Sequence, residues 1–347
     1  MGKRLRINIG TLNFAKGMAI ILMIVGHSIT ELVPLDQAPI LWGLLSPLLP
    51  FFYIISGYLF TPKKIYETVK TTAKDLLKPY LIVEIVNLII YPLRSLWQGK
   101  GYLAGLIKMG AGILFGVGMD TEILGISVAS VGPVWFLVSL FWAWNLLNLI
   151  MKLKSLLEQI AMIILVVVAG YLLAWISFSW WSLSCGLIGT GYLAIGYYLK
   201  KYKIMEKKAP LWAIALLAAG ALWNTRFSKM LMIKNVYSHG LFTIILAVCS
   251  CYFMLWACIY LSHIDFVLVD AIEECGRYSF WILCIHAVLY TSLPWHIFFR
   301  IMPNSTFAVL ALLVYNAIVI LIVCYLLKEI HRWKYMKEKK KNGRKDN

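Results

Sequence analysis

Lys16 and His27 stand at the two ends of the stretch KGMAIILMIVGH, with an apolar run between them. Their types suggest chemistry: a neutral imidazole is an able general base, and an ammonium group can receive an anion. Eleven positions along a helix make three turns plus roughly 20°, so the two side chains share a face about 16 Å apart along the axis. Asn13 lies on nearly the same face, one turn before Lys16. Ionisable groups inside an apolar run are costly, which makes each a candidate for function. Lys16 could instead extend to nearby headgroups. His27 is too deep for that, and its competing role is a hydrogen bond to a neighbouring helix.

Four further places carry polar groups in apolar surroundings. Ser56, Gly57 and Tyr58 close the stretch PFFYIISGYLF. Glu84 lies in the apolar run that follows, at the depth expected for Lys16, and a buried carboxylate there wants a cation such as Lys16. Trp135, in GPVWFL, suits an interfacial anchor. His286, in SFWILCIHAVLY, falls near mid-membrane.

The elements that must hold these groups are membrane helices. The chain has 347 residues, of which 61% are hydrophobic and only 14% charged. Its apolar runs are continuous rather than alternating, and many are long enough to cross a bilayer as helices. The fold class is therefore all-α, a polytopic bundle of about ten transmembrane helices. The expected spans are 11–33, 41–60, 76–97, 132–151, 157–177, 181–199, 210–226, 237–262, 277–297 and 307–328. The Gly-rich segment 101–118 is expected to be interfacial or re-entrant. With ten spans most Lys and Arg fall on one side, which puts both termini in the cytoplasm. The basic loop 61–78 and the acidic loop SHIDFVLVDAIEECGR lie on that side too.

The net charge of +17 does not point to nucleic acid, because the basic residues sit in short loops and in the tail 331–347. That tail suits contact with anionic membrane lipid. Seven cysteines fall mostly in apolar runs with no CxxC pair, so they read as packing residues, and no metal site is expected. The first apolar run lacks a small-residue cleavage site and should remain as the first span.

Four stretches, NFAKGMAIILMIVGH, PFFYIISGYLF, GPVWFLVSLF and GRYSFWILCIH, occur in this order. Together they resemble the acyltransferase-3 family of bacterial integral membrane acyltransferases, in particular its fucose 4-O-acetylase-like branch. The resemblance covers essentially the whole chain, with 1–330 as the transmembrane domain. It implies a ten-helix, multi-pass protein of the bacterial cytoplasmic membrane that moves an acetyl or other short acyl group from acyl-CoA, by default acetyl-CoA, to a hydroxyl of a surface glycan or lipid-linked glycan. The family's basic residue, ten spacers and histidine match Lys16 and His27, which makes His27 and Lys16 the implied catalytic residues, with His27 as the base. Lysine here replaces the usual arginine and loses its planar fork. Asn13 replaces a frequent aspartate, and Glu84 is the substitute partner for Lys16. Ser56, Gly57 and Tyr58 match the family's SGY, and His286 its late-helix histidine. In the donor-binding set are Lys16, Asn13, Ser56, Gly57 and Tyr58, with Glu84, Trp135 and His286 in support.

Two other readings use the same residues. A proton-coupled transporter would use Lys16, His27 and Glu84 as a relay. A non-catalytic partner in a polysaccharide assembly complex would not need His27.

Overall fold

The computed structural model of the chain describes residues 7–30, 39–99, 101–123, 125–175, 180–292 and 305–342. In lipid every backbone polar group needs an internal partner, so the continuous apolar runs coil into helices. Helix α1 (Ile9–Thr30) is unbroken and carries both Lys16 and His27. The second expected span is two helices, α2 (Pro39–Leu45) and α3 (Leu48–Leu59). Pro47 and Pro50 lack the N–H that a continuous ladder needs, and the chain turns between the two pieces.

The basic stretch 61–78, expected as a loop, is largely helical. Helix α4 (Ile65–Thr72) passes through a π-helical turn (Ala73–Leu77) into α5 (Lys78–Trp97). Pro79 takes one donor out of the ladder at that junction, and a widened turn accommodates it. The segment 101–118 forms α6 (Leu103–Phe115), which is too short to cross a bilayer unaided. A hairpin, β1 (Thr121–Ile123) and β2 (Ile126–Val128), leads to α7 (Trp135–Ile150). Helices α8 (Leu156–Trp175), α9 (Leu183–Lys201) and α10 (Leu211–Phe227) follow. A second hairpin, β3 (Met230–Leu231) and β4 (Val236–Tyr237), precedes α11 (Leu241–Leu261). The chain closes with α12 (Val267–Arg277), α13 (Ser279–Ser292) and the 38-residue α14 (Ser305–Asn342).

Among the described residues, 7 helical stretches are long and apolar enough to cross a membrane, and α6, α10 and α13 are shorter apolar helices. The protein is a multi-pass membrane helix bundle. Each of the ten expected spans coincides with helix, but they are not equal in kind. Helix α9 is diluted by glycines and tyrosines, and α10 and α13 are short. Helix α14 runs through the proposed boundary at 330 without a break. The C-terminal ends of three expected spans (31–33, 176–177 and 293–297), together with Lys100, Arg300 and 343–347, lie outside the described residues.

The acidic loop is a helix too. In α12, Val269, Ile272 and Gly276 recur at helical spacing and turn toward the bundle, while Asp270 and Ala271 are exposed. Glycine makes its docking on α1 close. A methyl group added at Gly17 would overlap the Ile272 carbonyl, and one at Gly276 would overlap the Asn13 carbonyl. Helices α3 and α9 meet in the same way, Gly57 against the Leu193 carbonyl and Gly196 against the Ile54 carbonyl. Gly196→Ala is therefore expected to cost about 1–3 kcal/mol through overpacking. Thermal aggregation of the detergent-solubilised protein, compared with the parent, checks this.

Candidate functional site

A cavity of about 480 Å³ runs along one face of α1. Lys16, Ile20, Met23 and His27 all line it, in the order that an eleven-residue helical spacing requires. Ser56 and Phe52 reach it from α3, Leu76 from the π-helical turn, and Trp135 to Leu137 from the start of α7. Arg277, the last residue of α12, lines it near Lys16, as does the neighbouring Ser279. At the His27 end it meets Trp42 and Ser46 and the second hairpin, Met230 to Ile233.

The entry to α7 is held by a polar web. The Ser130 N–H donates to Asp120 Oδ1 at 2.7 Å, and the Ser130 hydroxyl donates to the Gly118 carbonyl at 2.6 Å. Gly132 then takes a φ of +60°, and a short 3₁₀ turn at Gly132–Val134 delivers Trp135 into the cavity wall. The second hairpin is pinned by Trp42, whose indole N–H donates to the Met230 carbonyl at 3.3 Å.

His27 and His286 meet, although 259 residues separate them. His27 Nδ1 lies 3.1 Å from His286 Nε2, and the ring planes differ by 11° with centroids 5.3 Å apart. At that centroid separation 3.1 Å is almost the shortest gap two imidazole edges can leave. The rings therefore face edge to edge, with the two nitrogens on the line between them. Tyr290 sits against both, its ring centroid 5.2 Å from that of His27 and 5.8 Å from that of His286.

The remaining residues singled out from the sequence lie elsewhere. Gly57, Tyr58, Asn13 and Glu84 do not line the cavity. Gly57 and the Asn13 carbonyl are taken up in helix packing. Glu84 is buried and accepts from Asn87 Nδ2 at 3.4 Å, and among the described residues it forms no ion pair with Lys16. The relay of Lys16, His27 and Glu84 therefore does not share one cavity. Arg277 was missed as a site residue: it closes a stretch read as loop, where a basic residue passes for ordinary surface charge. Among the described residues no group of three or more His, Cys, Asp or Glu is arranged to hold a metal ion.

Comparison with known families decides what kind of molecule holds this cavity. The acyltransferase-3 family model, described as an acyltransferase domain, matches residues 9–329. The chain belongs to the acyltransferase-3 family. It is thus a membrane acyltransferase, and the match spans every helix from α1 into α14. Searches of curated proteins and of solved structures found no match. In this acyltransferase the matched region contains the whole cavity and the histidine pair.

Proposed function

We propose that this acyltransferase moves an acetyl or other short acyl group from acyl-CoA to a hydroxyl of a surface polysaccharide or its lipid-linked precursor, at the bacterial cytoplasmic membrane. One observation carries the reading: a single cavity holds two cationic side chains near one end and a histidine, hydrogen-bonded to a second histidine, at the other. With both termini cytoplasmic, Lys16 and Arg277 face the compartment that supplies acyl-CoA.

The chemistry divides along the cavity. Lys16 and Arg277 receive the phosphates, and Ser56 adds a hydroxyl. Lys16 offers a point charge, while Arg277 supplies the planar fork that lysine lacks. Glu274 steadies that guanidinium, with Oε2 3.4 Å from Arg277 Nη1. The uncharged pantetheine arm lies along Ile20 and Met23, a stretch that matches the roughly 16 Å between Lys16 and His27. The thioester then stands beside His27. The imidazole takes the proton of the acceptor hydroxyl as its oxygen attacks the thioester carbonyl. When the tetrahedral intermediate collapses, the C–S bond breaks and the imidazolium returns its proton to the leaving thiolate. The products are the ester and free CoA.

Arg277→Ala is expected to raise the KM for acyl-CoA by about tenfold or more, the loss of one charge-assisted hydrogen bond, with a smaller change in kcat. Arg277→Lys should recover part of it. Initial rates in proteoliposomes check both, and an unchanged KM removes Arg277 from donor binding.

The reading as a whole is tested on cells. Surface polysaccharide is compared by mass spectrometry, before and after mild base, with and without the protein. A base-labile acyl mass that depends on the protein supports the proposal. Identical glycans from cells in which the protein is made and inserted would reject this acceptor.

A further inference from the structure

The mechanism needs His27 to carry its proton on Nδ1, so that the other ring nitrogen keeps its lone pair. A neutral imidazole has one N–H. If His27 Nδ1 donates to His286 Nε2, then His286 must carry its own proton on Nδ1. The reverse arrangement puts the His27 proton on Nε2 and disables the base. The direction of this one hydrogen bond therefore bears on whether the site works, and a group at the far side of His286 can bias it.

His286 is buried, and its Nδ1 has no partner at full hydrogen-bond geometry among the described residues, although the Asn316 side chain stands next to the ring. Beside it lies a second cavity of about 10 Å³, lined by apolar residues of α1, α13 and α14 and by one other polar side chain, Asn316. That volume is close to what a single water needs. The orientation of Asn316 follows from its neighbours. Its amide nitrogen donates to the Leu312 carbonyl at 3.0 Å, which can only accept, and to Ser28 Oγ at 3.1 Å. The Ser28 hydroxyl in turn gives its own proton to the Ile24 carbonyl at 2.9 Å. Both donors of the amide are thus in use, and Oδ1 is the acceptor left beside the small cavity.

We propose that Asn316 is a positioning residue for the histidine pair: its Oδ1, through one water in the small cavity, accepts from His286 Nδ1 and so holds the proton of His27 on Nδ1. This rests on His27 being the base, and the first readout of the test, chemical modification of His27, does not depend on the acyl acceptor.

The probe is diethyl pyrocarbonate, a small acylating reagent that reacts with the unprotonated imidazole nitrogen. Modification of His27 is followed by peptide mass spectrometry in purified full-length protein, alongside kcat and KM for acyl-CoA. Asn316→Leu, of similar size but with no acceptor, is expected to slow His27 modification and kcat by about tenfold, the worth of one hydrogen bond, with KM unchanged. Asn316→Asp, as the neutral acid, keeps an acceptor at the same position and an O–H to give to the Leu312 carbonyl, and should restore both. Ser28→Ala removes a hydrogen bond of Asn316 without touching Oδ1 and should behave as the parent. If Asn316→Leu modifies and turns over like the parent, the proposal is overturned. It is equally overturned if Asp fails to rescue a well-folded protein, or if Ser28→Ala loses as much as Leu. A tenfold slowing of modification in a protein that transfers no acyl group to any glycan would uphold the positioning role and reject the acceptor.

Discussion

His27→Ala lowers acyl transfer by roughly 10²–10⁴-fold, the span over which a positioned general base acts. The variant still folds, inserts and binds acyl-CoA. The reason lies in where the side chain stands. It is one of the few polar groups in a cavity walled mostly by Leu, Met, Phe and Trp, so no neighbour substitutes for it easily. Donor binding survives because Lys16 and Arg277 are about three helical turns away. His286→Ala leaves the His27 ring in place but removes its Nδ1 partner, and a smaller loss in kcat with the same KM is expected. Steady-state rates with a soluble acceptor and equilibrium binding of a non-hydrolysable acyl-CoA analogue separate the two effects. If His27→Ala turns over at the parent rate, the base lies elsewhere and the proposed mechanism falls.

The second large effect comes from packing rather than chemistry. Gly276→Leu is expected to abolish activity by driving α12 off α1, because the side chain would overlap the Asn13 carbonyl, which is backbone and cannot swing away. Arg277 is the next residue and moves with the helix. Overpacking of a well-filled interface costs about 1–3 kcal/mol even for added methylenes, and a whole isobutyl group against backbone exceeds that range. Gly17→Val acts on the same contact from the other helix, against the Ile272 carbonyl. Gly110→Ala is the control, since nothing stands within 4 Å of its added methyl, and it should be neutral or slightly stabilising. Fluorescence size-exclusion profiles and acyl transfer by the three variants check the set. Normal folding and activity in Gly276→Leu would show that α12 is not needed against α1.

Much of this was readable from the sequence, for reasons that can be named. The shared face of Lys16 and His27 follows from helical periodicity alone, and both line one cavity as that phase requires. The membrane bundle follows from continuous apolar runs. Periodicity says nothing of which helices touch, so the contact between His27 and His286 across 259 residues was out of its reach. The same limit explains Glu84: depth in the bilayer suggested Lys16 as partner, but depth does not fix the direction in which a helix turns its side chains. Arg277 was hidden by composition. Helix α12 mixes Asp270, Glu273 and Glu274 with Val269 and Ile272, which hydropathy scores as a polar loop although the spacing suits a helix with one apolar face. The break at Pro47 has a signal in the sequence, since proline forbids the hydrogen bond, although 41–60 reads as one apolar span. The widened turn at Ala73–Leu77 has only Pro79 as its signal, and proline is compatible with several local geometries.

The apolar middle of the cavity has a bearing on the cell as well as on the reaction. A water-filled passage reaching from one side of the membrane to a histidine near the other would conduct protons and small ions, and each charge crossing dissipates about 2.3 kcal/mol per 100 mV of membrane potential. Between Lys16 and His27 the α1 wall offers Ile20 and Met23, faced by residues such as Phe52, Phe136 and Leu283. An ion entering there must shed its hydration with nothing to replace it, whereas an uncharged, slender thioester arm need not. On the proposed mechanism the side chains that would guide the arm would also insulate the two compartments, so an acyl group could be handed across without short-circuiting the membrane.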